Sequence, residues 1–76
     1  MLNIYIALSQ DQEIKNAITN SNSLELAYDH KEDLIILTNN GKYVASYWDP
    51  CLESTKRFIM EEIILLNLPD DVAPSF

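Results

Sequence analysis

The chain has 76 residues, a 47% apolar composition, and twelve acids against five bases for a net charge of −7. A chain of that length makes one domain, of a size at which folding hides only roughly 60% of the surface of the unfolded chain, and its four Tyr, two Phe and one Trp supply large side chains for a core. The negative charge disfavours direct binding to nucleic-acid phosphate or anionic membranes, the single cysteine excludes an internal disulfide or a cysteine zinc cage, and the single glycine excludes Gly-rich nucleotide loops.

The N-terminal MLNIYIALSQ lacks a positively charged region and is not read as a signal peptide. No run approaches the ~20 apolar residues of a membrane span, so a soluble cytoplasmic protein is expected. Leu2, Ile4, Ile6 and Leu8 alternate with Asn3, Tyr5 and Ala7, a period of two that predicts a first strand. Ser9 as N-cap and Gln12 as its capping-box partner then start a helix, with Asp11 and Glu13 suited to its positive end. Ile14, Ala17 and Ile18 recur at helical spacing, and the helix is expected to reach about Asn20.

Leu24, Leu26 and Tyr28 alternate with Glu25, Ala27 and Asp29, predicting a second strand with one polar face. DHKED turns the chain into LIILT, whose unbroken apolar run predicts a central strand covered on both faces. Asn39, Asn40 and Gly41 signal a hairpin, because Asn and Gly tolerate the positive φ of tight turns. In the returning strand KYVASYW, strict alternation places Val44, Ser46 and Trp48 on one face and Tyr43, Ala45 and Tyr47 on the other. Asp49 as N-cap and Pro50 at the first helical position then predict a long helix to about Asn67.

That helix carries a principal apolar stripe of Leu52, Ile59, Ile63 and Leu66. Phe58 and Leu65 flank it on one side, Met60 and Ile64 on the other, so FIMEEIILL is wider than one face of a small sheet can cover. Cover is expected from the first helix, from Val72 and Phe76 of the tail, or from a second subunit, which makes Phe58, Met60, Ile64 and Leu65 the candidate oligomer interface. The expected fold is α+β, ordered β-α-β-β-β-α, with a mainly antiparallel sheet packed against two helices. Residues 1–76 form a single domain in which 69–76 read as a tail, flexible or folded back.

Catalytic sets are sparse. Cys51 in a helix start would be the nucleophile and His30 its base, but nothing in their spacing joins them, and a solitary packed cysteine is the common case. DHKED offers three carboxylates and an imidazole, yet lacks the ligand alternation and the glycine of a calcium loop. Neither enzyme activity, a metal nor a cofactor is expected. The acids instead point to a basic protein surface as partner: Asp29, Glu32 and Asp33 in one turn and Asp49 and Glu53 at the last helix start can imitate spaced phosphate charges.

LIILTNNGKYVASYWDPCLESTKRFI, about a third of the chain, resembles the hairpin and acidic helix of small acidic phage anti-CRISPR proteins, in particular a DNA-mimicking type II-A Cas9 inhibitor. The resemblance implies a non-catalytic inhibitor that occupies a nucleic-acid-binding site in the host cytoplasm. It also implies an inserted loop at Asn39, Asn40 and Gly41 and an acidic helix position at Glu53. This chain departs from that pattern in its expected N-terminal strand where the inhibitor has a helix, in Lys42 after the turn, and in sparser acids. A homodimeric structural or regulatory domain, and an antitoxin or immunity protein, are the alternatives.

Overall fold

A computed structural model describes residues 1–21 and 23–67. Three helices and three strands follow the order α1 (Leu2–Gln10), α2 (Gln12–Asn20), β1 (Leu24–Asp29), β2 (Leu34–Asn39), β3 (Lys42–Tyr47) and α3 (Leu52–Leu66). The fold is α+β, as expected, and the order differs in its first element. Residues 68–76, with the expected tail and its Val72 and Phe76, lie outside the described residues.

The expected N-terminal strand is the helix α1. Its apolar residues satisfy two periods, and the helical one wins because it places Met1, Ile4, Tyr5 and Leu8 together against the core. Leu2 and Ile6, which alternation would have buried, are exposed. The Tyr5 ring instead meets Tyr28 of β1, centroids 6.0 Å apart. The cap of the next helix also shifts. Asp11, extended at φ −75° and ψ 126°, separates α1 from α2, and its Oδ1 accepts the N–H groups of Glu13 (2.9 Å) and Ile14 (3.1 Å). Ser9 lies in the last turn of α1, its hydroxyl donating back to the Tyr5 carbonyl at 2.9 Å.

The sheet is antiparallel in the order β1-β2-β3, so β2 is central. Two polar turns fix its registers. Between β1 and β2 the Asp29 carboxylate accepts the Lys31 and Glu32 N–H groups, and Asp33 closes the turn at φ 55°. Between β2 and β3, Asn40 and Gly41 both take positive φ, 55° and 77°, which matches the tight hairpin their identities predict.

Strict alternation in β3 fails at Val44. Leu37 pairs with Ala45 but Thr38 pairs with Tyr43, so Val44 is an extra residue in the strand, a β-bulge. The bulge moves Tyr43 to the face of Ser46, and their hydroxyls lie 3.0 Å apart. Tyr43 therefore does not share a face with Ala45 and Tyr47.

All three helices pack on one face of the sheet. Leu8, Ile14, Leu24, Ile35, Leu37, Tyr47, Ile59 and Ile63 make one buried cluster there. Each large aliphatic side chain so buried contributes about 1.5–3 kcal/mol. Among the described residues nothing covers the opposite face, where Ile36 stands between Ala27 and Ser46; β2 is central without being covered on both sides. In α3 the buried positions are Thr55, Ile59 and Ile63, while Leu52 and Leu66 of the expected stripe are exposed. Thr55 is tolerated at 0% exposure because its hydroxyl donates to the Asp49 carbonyl at 2.8 Å.

Candidate functional site

The antiparallel hairpin decides which candidate residues can meet. Leu34 begins β2 beside Asp29, and Ile35 lies opposite Tyr47, so the β1–β2 turn and the β3–α3 connection share one end of the sheet. Asp29, Glu32 and Asp33 belong to that turn, Asp49 to that connection and Glu53 to the first turn of α3, so all five lie toward that end, where the three strands span about 10 Å. Asn39, Asn40 and Gly41 sit at the opposite end, a full strand length away. One contiguous surface does not hold both groups.

Within the acidic end the carboxylates have different duties. Asp33 Oδ1 accepts the Tyr28 hydroxyl at 2.6 Å and the Met1 amino group at 3.0 Å, which together hold its pKa below the ordinary value. Asp49 Oδ1 accepts the Cys51 N–H at 2.8 Å and so shapes the start of α3. The helix begins at Leu52 with Cys51 as N-cap, two residues after the expected start, because Asp49 bonds outside the helix. The side chains of Glu32 and Glu53 are exposed and make no hydrogen bond or ion pair among the described residues.

Two exposed aromatic rings stand by Asp49: Trp48, 70% exposed, and Phe58, which reaches the same cleft from the second turn of α3. Tyr43, 65% exposed, is rooted near the hairpin end of β3. Ser46, Tyr47, Trp48, Asp49 and Phe58 line a cleft of about 350 Å³. Tyr47 is buried, yet its hydroxyl has no hydrogen-bond partner among the described residues. Burial first, then the charge of Glu62, pushes its pKa up to about 12. At the rim the Arg57 guanidinium stands 5.6 Å from the Phe58 ring centroid. The cleft is not legible in the sequence, because the alternation of β3 predicts only which way Tyr47 and Trp48 point. The exposed tryptophan next to an acid was its one local signal.

The candidate interface on α3 divides as well. Ile64 and Leu65 are 58% and 61% exposed and Phe58 is partly so, whereas Met60 packs against the core. Cys51 is exposed at the helix start, and the Ser54 N–H and hydroxyl beside its sulfur hold the thiol below its ordinary pKa. No hydrogen bond links it to His30, which lies exposed in the β1–β2 turn. Among the described residues no group of three or more His, Cys, Asp or Glu is placed to hold a metal ion. A second concavity of about 420 Å³ runs between β1 and the first two helices, lined mainly by Leu8, Ile14, Ile18, Leu24 and Leu26.

One cation is withdrawn from the surface. Lys56 Nζ lies 3.0 Å from Asp11 Oδ2 and 3.1 Å from Glu13 Oε1, tying α3 to α2 and lowering the pKa of Asp11. Asn67 closes the other end of that contact by donating to the Ser21 hydroxyl at 3.0 Å. The acidic end of the sheet is left with Lys31 as its nearest turn cation. No family model matches the chain, and neither a curated protein nor a solved structure is significantly similar to it.

Proposed function

We propose that this protein is a small acidic, non-catalytic inhibitor that works in the cytoplasm by binding a basic protein surface of the kind that holds nucleic acid. The observation that carries the proposal is the placement of Asp29, Glu32, Asp49 and Glu53 at the same end of the sheet as the exposed Trp48. Acids give long-range attraction and fast encounter, and an exposed aromatic at the same end of the sheet gives the short-range anchor on which interfaces depend. The net charge of −7 makes a basic partner the favourable one.

The resemblance of residues 34–59 to phage anti-CRISPR proteins supports the same class. With α1 and α2 ahead of the hairpin, one difference from that inhibitor, the N-terminal strand, falls away. The partner is then a defence nuclease whose nucleic-acid channel the acidic end would occupy. The Asn39–Gly41 loop would be a separate contact, since it lies at the other end of the sheet.

The test is competition for a type II-A Cas9 loaded with guide RNA, measured against its target duplex as ionic strength rises. From about 0.1 M to about 1 M salt the Debye length falls from about 10 Å to about 3 Å. An affinity that weakens steeply over that range is expected; one insensitive to salt rejects the DNA-mimic mode. A second reading, a homodimeric structural or regulatory domain, is favoured by the exposure of Phe58, Ile64 and Leu65 on α3. Sedimentation that finds only monomer at high concentration removes it.

A further inference from the structure

We propose that the cleft between the end of β3 and the first turns of α3 receives one arginine side chain of the protein partner, between the Trp48 and Phe58 rings, with Asp49 as its counter-charge. This deepens the reading above and rests on it. Four observations converge on a guanidinium. Tyr47 lines the cleft at 9% exposure with a hydroxyl that has no hydrogen-bond partner among the described residues. Buried hydroxyls without partners are rare, and a ligand donor is one way to complete them. Asp49 spends Oδ1 on the Cys51 N–H, and its second oxygen has no partner among the described residues.

The third observation is the ring pair. Trp has the most favourable face for a cation, and this one is 70% exposed beside the cleft. Fourth, the Phe58 ring already holds the chain's own Arg57 at 5.6 Å, so the rim accepts a stacked guanidinium. Arginine suits the site better than lysine, because its planar fork can stack on a ring while separate N–H groups reach Asp49 and Tyr47. At about 350 Å³ the cleft has room for one such side chain and not for a folded element.

Trp48 is the only tryptophan, so its emission reports on the cleft directly. The test titrates the full chain with a nona-arginine and a nona-lysine peptide at fixed ionic strength, following emission, iodide quenching and, for variants, calorimetry. Nona-arginine is expected to shift the emission, shield Trp48 from iodide and bind more tightly than nona-lysine. Tyr47→Phe should weaken nona-arginine binding about tenfold, the size of one hydrogen bond to a charged group, while leaving the thermal midpoint unchanged or higher. Trp48→Leu should weaken binding similarly, and Arg57→Gln, which removes the resident cation, should strengthen it. Equal affinity for both peptides, with all three variants matching the parent, overturns the cleft and leaves the basic-partner reading standing. A Tyr47→Phe chain that is less stable than the parent also overturns it, since the hydroxyl would then be satisfied within the fold. No binding of either peptide at low salt overturns both readings.

Discussion

Ile59 and Ile64 lie on the same helix five residues apart, one buried at 0% exposure and the other 58% exposed, and their truncation separates packing from surface. Ile59→Ala deletes three carbon groups from the cluster that also holds Ile35, Leu37 and Ile63. At about 0.8 kcal/mol per group the transfer loss alone is about 2.4 kcal/mol, and the residual cavity raises the expected cost into the range of about 2–5 kcal/mol. For 76 residues the whole stability is about 4–11 kcal/mol, so this single change removes a large fraction of it. Its thermal midpoint should fall by about 10 °C or more, at about 4–8 °C per kcal/mol. Ile64→Ala should cost less than about 0.5 kcal/mol. Urea titration of both variants at two protein concentrations is the assay. Equal losses at every concentration would refute the placement of α3 on the sheet. A loss for Ile64→Ala that is present at the higher concentration and shrinks on dilution would mean that α3 is covered by a second copy.

Acid should loosen the fold in a defined window. Asp11 and Asp33 both have depressed pKa values in the folded chain, so the stability they contribute is present above the unfolded carboxylate pKa, about 3.9, and is lost as pH falls through their folded values. The thermal midpoint should hold from neutrality down to about pH 4 and drop below it, and the drop should be smaller in an Asp11→Asn, Asp33→Asn double variant followed by circular dichroism. Gly41→Ala should cost about 1 kcal/mol in urea titration; nothing lies within 4 Å of the added carbon, so the loss comes from the left-handed φ of 77° and not from a clash. Cys51, exposed with a lowered thiol pKa, should react with Ellman's reagent in the native chain, faster than a cysteine peptide and without loss of helix signal.

Features that depend on a few neighbouring residues can be read directly along the chain. Asn40 and Gly41 require a hairpin because few other residues accept positive φ in succession, and the apolar run of β2 between two turns makes it the middle strand. The C-terminal ends of α2 and α3, near Asn20 and Asn67, follow from their apolar spacing and polar breaks. Other features arise only from packing. Residues 2–8 satisfy a strand period and a helix period equally well, and only a sheet face needing cover selects the helix that buries Leu8 and packs Tyr5 beside it. The bulge at Val44, which no local signal announces, carries Tyr43 across the sheet. The acids of the candidate site were legible as residue types, and a strand with a turn at each end already separates the DHKED acids from Asn39, Asn40 and Gly41; the antiparallel return of β3 then brings Asp49 and Trp48 to the same end of the sheet as the Asp29 turn. Burial of the Tyr47 hydroxyl depends on contacts between β3 and α3, which no spacing along the chain encodes. Local chemistry thus sets the elements and their charges, while the direction in which strands return and helices pack sets which of those charges can act together.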